Sequence, residues 1–209
     1  IMLFANHSTG YRSGGYNSGG GTPSLSVVTN GVLVSTKRLF TRETVKNYEL
    51  GVKSTWLDGA LKLNATWFRM DIAGFQDRAF DGVSFIVRNA GNLRQQGLEF
   101  DMVMAPTDNF SVSGSIAYLD SAFTDFATAS NLPGLTGTQD LTGKPNTFSP
   151  EWSGTVALNW TGDLGGNMSW GLNTNVSFVS DQFVGTVNDN NPQSRADGYA
   201  LLGARLTLY

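Results

Sequence analysis

The chain has 209 residues and a net charge of −3, and only 15% of its residues are charged, against roughly 25% in ordinary soluble domains. Without an excess of basic residues it has no electrostatic footprint for nucleic acid, and without cysteine it has neither disulfides nor thiolate chemistry. No apolar run approaches the roughly 20 residues of a membrane-spanning helix, which excludes helical membrane proteins.

Segments in which apolar and polar residues alternate follow one another along the chain. A weak first strand is predicted near Ile1–Thr9. The clearest segment, Asn47–Phe68, alternates on both sides of Asp58-Gly59, a pattern typical of a β-hairpin. Further alternating segments begin at Leu98, Phe110, Trp152, Trp170 and Ala200. Together they predict an all-β fold of about eight antiparallel strands without a convincing helix.

The alternation changes phase once, at Phe68–Met70–Ile72, where the apolar residues move to the opposite face of the predicted strand. Two explanations stay open at this point. A β-bulge would insert one residue and reverse the phase, or the strand leaves the buried zone there and its faces exchange environments.

The predicted connections alternate between long and tight without exception. The long ones cover residues 10–43, 125–149 and 183–197, and a medium one covers 76–84. Tight turns lie at 58–59 and 106–109, and a short connection covers 161–167. In an up-and-down meander this alternation puts every long loop at one end. Outer-membrane barrels show this asymmetry, whereas a soluble sandwich has no physical reason for it.

Aromatic residues cluster towards both ends of the predicted strands, with smaller aliphatic residues between them. The clusters are Trp56, Phe110, Trp160 and Tyr209 at the tight-turn end, and Tyr48, Tyr118, Trp152 and Phe178 towards the long loops. Such girdles flank lipid-facing bands. Because backbone groups in hydrocarbon must all be paired, a sheet with this face has to close. Eight strands can close a small barrel, but a chain that starts and stops inside strands fits a slice of a larger one better. The predicted fold is an antiparallel up-and-down meander of about eight strands, part of a large transmembrane β-barrel.

Two alternatives remain open from the residues alone. A soluble β-sandwich, such as a carbohydrate- or surface-binding module, would pack the apolar strand faces against each other in water. A small autonomous membrane barrel would instead pair the first strand, Ile1–Thr9, with the last, Tyr199–Tyr209.

Candidate site residues are few. His7 is the single histidine, so no zinc site is predicted, and no catalytic residue is proposed. The stretch VNDNNPQ, residues 187–193, has oxygen ligands for Ca²⁺ but lacks spaced carboxylates and is interpreted as a solvated loop. Glycine-rich GYRSGGYNSGGG, residues 10–21, has donors and stacking surfaces for a ligand. The predicted ligand-binding residues, all in extracellular loops, are Tyr11, Arg12, Tyr16 and Arg78.

Five segments, taken in order, are similar to a known family. They are STGYRSGGYN (8–17), ETVKNYELGVKSTWLDGALKLNATWF (43–68), NAGNLRQQGLEFD (89–101), LTGKPNTFSPEWSGTVALNW (141–160) and GYALLGARLTLY (198–209). They resemble successive barrel segments of TonB-dependent outer-membrane receptors, and the match extends over nearly the whole chain.

This resemblance implies a role as well as a fold. Residues 1–209 would form a C-terminal-half portion of a plugged barrel of about 22 strands, with the plug domain and the closing strands outside this chain. The protein would be an active-transport receptor of the bacterial outer membrane for a scarce small ligand such as a ferric siderophore. Its partners would be outer-membrane lipid and, through the missing plug, TonB. The resemblance implies neither enzymatic activity nor a cofactor.

Overall fold

A computed structural model of the chain describes residues 1–17, 26–29, 32–35, 39–80 and 85–209, with 26–29 and 32–35 described by their backbone alone. In these ranges single turns of 3-10 helix lie at Leu57–Gly59 and Pro192–Ser194, and no helix is long and apolar enough to cross a bilayer. The strands of the described residues are, in chain order, β1 (Met2–Arg12), β2 (Gly15–Tyr16), β3 (Ser26–Thr29), β4 (Val32–Ser35), β5 (Leu39–Phe40), β6 (Glu43–Trp56), β7 (Leu61–Ala73), β8 (Gln76–Phe80), β9 (Phe85–Asn89), β10 (Asn92–Thr107), β11 (Phe110–Asp125), β12 (Ala129–Ser130), β13 (Thr138–Gln139), β14 (Trp152–Gly165), β15 (Met168–Val179), β16 (Gln182–Phe183), β17 (Arg195–Ala196) and β18 (Tyr199–Leu208).

Eight of these strands are long, and they form one antiparallel sheet in the order β1-β6-β7-β10-β11-β14-β15-β18. Each long strand pairs with the next long strand along the chain, which confirms the predicted meander of about eight strands. The first strand is longer than predicted. Because β1 continues to Arg12, residues Tyr11 and Arg12 belong to a strand of the main sheet rather than to the predicted loop.

The connections alternate in length as predicted. Tight turns join β6 to β7, β10 to β11 and β14 to β15 at one end of the sheet. The first of these turns has left-handed backbone at Leu57 and Asp58, both with φ of 53°, and at Gly59, with φ of 99°. The other end, here called the loop end, carries the long connections. Their described parts contain the small two-stranded sheets β2–β5, β3–β4, β8–β9, β12–β13 and β16–β17.

One face of the main sheet, here called the outer wall, carries rows of apolar side chains. Strand pairing places Leu98 beside Tyr118 and Tyr118 beside Trp152, and the ring centroids of Tyr118 and Trp152 are 4.9 Å apart. Towards the tight turns, the rings of Phe110 and Trp160 meet edge to face at 6.3 Å. Each of the two predicted aromatic clusters therefore contains one pair of rings in contact between neighbouring strands.

The outer wall rules out the two alternative folds. Leu50, Val176 and Leu202 are 55%, 39% and 75% exposed, whereas a β-sandwich would bury them between two sheets. The soluble-sandwich alternative is therefore wrong. A small autonomous barrel is contradicted as well, because β1 and β18 are the two edges of the described sheet and do not pair with each other.

The buried core lies on the opposite face, here called the inner face, close to the loop end. Its buried residues are Ile72, Ala90, Leu93, Phe123, Phe126, Ala129 and Leu141. Their position explains the phase change in β7. The register of β7 with both β6 and β10 is unbroken, which excludes the first of the two explanations, a β-bulge. The strand runs beyond the apolar band instead, and its apolar residues Met70 and Ile72 turn inwards beneath the loops.

Candidate ligand-binding mouth

At the loop end, the connections fold over the inner face and contact one another. Side-chain amides join the first connection to the β8–β9 hairpin. Gln76, only 7% exposed, donates from Nε2 to the carbonyls of Ser13 and Thr41 at 2.9 and 3.0 Å. The side chain of Asn17 donates to and accepts from the backbone of Val87 at 2.8 and 2.9 Å. These bonds satisfy polar groups that the main sheet does not pair.

A buried carboxylate connects the β8–β9 hairpin to the last connection. The side chain of Asp77 is 1% exposed, accepts a hydrogen bond from Nδ2 of Asn188 at 2.8 Å, and lies 3.5 Å from the guanidinium of Arg88. Its Oδ2 atom makes no hydrogen bond within the described residues. Burial raises the pKa of the Asp77 carboxyl above its ordinary value, and the hydrogen bond from Asn188 and the positive charge of Arg88 oppose that rise.

The same polar cluster extends to the third long connection. Arg88 donates to Oγ of Ser130 at 3.2 Å and lies over the ring of Phe126 at 5.7 Å. Gln139 then donates from Nε2 to the carbonyls of Ser130 and Asp189 at 2.7 and 2.6 Å. Three connections are therefore joined by buried or half-buried polar contacts. We call the joining residues the loop clamp: Asp77, Arg88, Ser130, Gln139 and Asn188.

The stretch 187–193, predicted as a solvated loop, is partly buried. Asn188 and Asp189 are 6% and 5% exposed, and Asn188 accepts a hydrogen bond from the amide of Thr147 at 3.0 Å while it donates to Asp77. The prediction was wrong at these two residues, because their burial depends on partners far away in the chain. Within the residues that the structure describes, no group of three or more His, Cys, Asp or Glu side chains is placed to hold a metal ion.

The outermost described part of the β8–β9 hairpin exposes a guanidinium beside two aromatic rings. Phe80 and Phe85 are 53% and 50% exposed, and their ring centroids are 5.3 Å apart. Arg78 lies over the ring of Phe85 at 4.8 Å. An arginine stacked on an aromatic ring keeps the N–H groups at its edge available to anionic oxygens. We call Arg78, Phe80 and Phe85 the mouth cluster.

The structure distributes the four predicted ligand residues over both faces of the sheet. The residue after Tyr16 bonds to the backbone of Val87, which is the cross-strand neighbour of Arg78, so Tyr16 and Arg78 belong to the same part of the mouth. Arg12 ends β1 on the inner side. Tyr11 is 78% exposed and lies on the outer wall, because successive residues of a strand point to opposite faces.

Sequence reasoning missed Phe80, Phe85 and Asp77. A signal for the hairpin was present, since the runs Gln76–Phe80 and Phe85–Asn89 flank four residues, a spacing typical of a hairpin. The burial of Asp77 could not be predicted from the residues around it, because its hydrogen-bond partner Asn188 is 111 residues away in the chain.

The described geometry already defines a class of protein. A single antiparallel sheet with an apolar outer wall, covered on its inner face by long loops at one end, is typical of the wall of a transmembrane β-barrel. The chain belongs to the TonB-dependent receptor β-barrel family, because the family model described as "TonB dependent receptor-like, beta-barrel" matches residues 1–209. The resemblance stated from the sequence, and the predicted fold class, are confirmed.

Solved receptors share this fold at low sequence identity. The ferric yersiniabactin uptake receptor FyuA from Yersinia pestis matches with a TM-score of 0.65 and 20% identity, over 98% of this chain and 27% of that one. The siderophore receptor PiuA from Acinetobacter baumannii matches with a TM-score of 0.67 and 20% identity, over 98% and 27%. BauA, the ferric preacinetobactin receptor from Acinetobacter baumannii, matches with a TM-score of 0.62 and 19% identity, over 98% and 27%. The chain therefore spans 27% of the length of these receptors.

Proposed function

We propose that this chain is part of the barrel of a bacterial outer-membrane receptor that imports a scarce extracellular ligand, a ferric siderophore, with energy supplied through TonB. Membership of the receptor family supports this role, as do the neighbouring structures, which are receptors for ferric siderophores. TonB would act through a plug domain, because all 209 residues of this chain match the barrel part of the family. The expected activity is transport without chemical turnover.

The observation that carries the ligand proposal is the mouth cluster. A ferric siderophore presents anionic oxygens around the metal and often flat unsaturated groups. The guanidinium of Arg78 suits the oxygens through charge-assisted hydrogen bonds, and the exposed rings of Phe80 and Phe85 suit the flat groups. In this proposal Arg12 and Tyr16 extend the surface along the first connection, and Tyr11 lies at its outer rim.

The loop clamp would prepare this surface for binding. A loop that is ordered before the ligand arrives loses less conformational entropy on binding, so the ligand binds with higher affinity. Asp77 and Arg88 tie the β8–β9 hairpin, which carries the mouth cluster, to two other long connections, and Gln139 joins those two connections to each other. We therefore assign the clamp a supporting role in ligand capture rather than direct ligand contact.

Uptake of radiolabelled iron tests the proposal. The full-length receptor that contains this chain is expressed in a strain without siderophore receptors of its own, and a panel of ferric siderophores is supplied at low concentration. We expect one class of chelate to be taken up, and we expect the uptake to stop when TonB is deleted. Uptake of no chelate in the panel, or uptake that continues without TonB, would contradict the proposed function.

A further inference from the structure

The connections at the loop end carry no surplus of positive charge. Between the strands of the main sheet they cover residues 13–42, 74–91, 126–151 and 180–198. Together these stretches contain seven Lys or Arg residues and seven Asp or Glu residues. Two of the arginines are already ion-paired, Arg88 with Asp77 and Arg195 with Asp181. Because a highly charged ligand is attracted by a surface of the opposite charge, these connections offer little attraction to a strongly anionic ligand.

The same end of the sheet exposes a group of large apolar side chains, here called the apolar patch. Its members are between 50% and 56% exposed, and they are Tyr16, Leu39, Phe80 and Phe85. They form two cross-strand pairs, one on β2–β5 and one on β8–β9. The hydrogen bonds between the side chain of Asn17 and the backbone of Val87 bring the two pairs together. Clustered apolar side chains that remain exposed are typical of binding sites, because a ligand that covers them removes apolar surface from water.

One guanidinium lies directly against the apolar patch. Arg78 covers the ring of Phe85 at 4.8 Å, and the ring of Phe80 lies 5.3 Å from that of Phe85 and is tilted by 55° against it. A flat ligand ring that packs on Phe80 would bring an oxygen attached to it towards Arg78. The patch and its guanidinium therefore match a ligand in which an aromatic ring carries an anionic oxygen.

Ferric chelates differ in exactly these two properties, the ring and the charge. Phenolates and catecholates bind Fe³⁺ through an oxygen on an aromatic ring, whereas hydroxamates and hydroxycarboxylates bind it through oxygens without a ring. Three catecholates give a strongly anionic complex, and three hydroxamates give a neutral one. A site with exposed rings, one available guanidinium and no surplus of cations therefore distinguishes among these classes.

We propose that the ligand of this receptor is a ferric chelate that binds iron through an aryl oxygen and carries little net charge. The aromatic ring of the chelate packs on the apolar patch, and Arg78 donates hydrogen bonds to the aryl oxygen. The balance of charge among the connections favours such a complex over a strongly anionic one. This inference rests on the proposed function, because it names the kind of ferric siderophore that the receptor imports.

Four ferric chelates separate the effect of the ring from that of the charge. They are a phenolate chelate of low net charge, a neutral tris-hydroxamate, a tris-catecholate and citrate. Their affinities for the purified full-length receptor are measured by quenching of its intrinsic fluorescence. We expect the phenolate chelate to bind about tenfold more tightly than each of the others, because the ring-free chelates lose a favourable aromatic contact and the tris-catecholate buries charge without a partner.

If any of the other three chelates binds as tightly as the phenolate chelate, the ligand class is overturned. The proposed function still stands in that case, provided that uptake of the bound chelate depends on TonB. If no chelate binds and none is taken up, both the ligand class and the proposed function are refuted.

Two variants with intact barrels, as judged by heat-dependent migration in detergent gels, test whether the apolar patch causes the preference. F80L/F85L keeps apolar side chains and removes both rings, and we expect it to lose most of the preference for the phenolate chelate over the tris-hydroxamate. F148L removes a ring that is 63% exposed in another long connection and should keep the preference. A preference that survives in F80L/F85L, or that F148L abolishes to the same extent, would overturn the assignment to the apolar patch.

Discussion

The carboxyl of Asp77 lies between an amide and a guanidinium inside the loops, and burial raises its pKa. The native state therefore holds the Asp77 proton more firmly than the unfolded chain does. For an acid with a raised pKa, the stabilising contribution is fully present below the ordinary value of 3.8 and is lost as the pH rises through the raised value. The loop clamp should accordingly loosen as the pH rises through that window.

The variant D77N tests this sign, because it keeps the shape of Asp77 without a titratable proton. The amide of Thr147, which donates to Asn188, reports opening of the clamp through hydrogen exchange measured by mass spectrometry. We expect the protection of this amide in the native receptor, relative to D77N, to fall as the pH rises from about 4 to about 7. D140N, which alters an exposed carboxylate in the connection that contains Thr147, should not reproduce this change. If the protection of the Thr147 amide in the native receptor, relative to D77N, rises with pH instead, the ion pair of Asp77 with Arg88 stabilises the charged carboxylate by more than burial destabilises it.

Arg78 is the second residue whose role can be measured alone. It combines an exposed guanidinium with a stacking contact on Phe85, at 4.8 Å. We expect R78A to weaken binding of the transported ferric chelate by about tenfold, as expected for the loss of one charge-assisted hydrogen bond and its stacking. R78K keeps the charge and loses the planar stack, so it should give an intermediate affinity.

The matched control for Arg78 is K144A, which removes one exposed charge from another long connection. Binding can be followed by quenching of intrinsic fluorescence on addition of the ferric chelate to the purified receptor. Equal affinities for R78A and K144A would show that general charge, and not the mouth cluster, attracts the ligand.

At the scale of the strands, glycine occupies several positions of the main sheet where a Cβ atom would clash with backbone or ring atoms of a neighbouring strand. Gly97 on β10 is the tightest case within the main sheet. A Cβ atom there would lie 2.0 Å from the carbonyl oxygen of Tyr118 and 3.0 Å from the ring of Phe68, its cross-strand partner. Since the carbonyl belongs to the backbone of β11, the clash cannot be relieved by turning a side chain.

We therefore expect G97A to destabilise the barrel by about 2 kcal/mol, a typical cost of overpacking. Gly114 on β11 is a matched control, because a Cβ atom there would meet its nearest neighbours at 3.5 Å, an ordinary contact. G114A should change stability little. Thermal unfolding of the receptor in detergent, followed by far-ultraviolet circular dichroism, measures both. If G97A and G114A have equal melting temperatures, β10 and β11 accommodate the extra methyl group at position 97 without a loss of stability, and the expected clash is refuted.

At the scale of the whole molecule, the main sheet has two open edges, β1 and β18. In a bilayer, each unpaired N–H or C=O group at an edge costs several kcal/mol, so a sheet of this kind is stable in lipid only when further strands cover both edges. Its open edges and exposed apolar face therefore fit a part of a larger closed barrel, in agreement with the 27% of receptor length that the chain covers.

It follows that the 209-residue chain, expressed by itself, should not form a stable monomer in detergent. We expect association through β1 and β18 into larger species, visible by size-exclusion chromatography with light scattering. The full-length receptor, in which these edges are paired, serves as the control. A monodisperse, β-rich monomer of the isolated chain with a cooperative thermal transition would contradict this expectation.

The sequence alone determined the wall of this protein, because strand formation, side-chain alternation and tight turns depend on near neighbours in the chain. Asn47–Phe68 shows this directly, since its register, its turn and its outward face all follow from local pattern. The contacts among the long loops at the mouth could be seen only in the tertiary structure. Asp77 meets Asn188 across 111 residues and Gln139 meets Asp189 across 50, and burial of such polar groups depends on partners that no local pattern encodes.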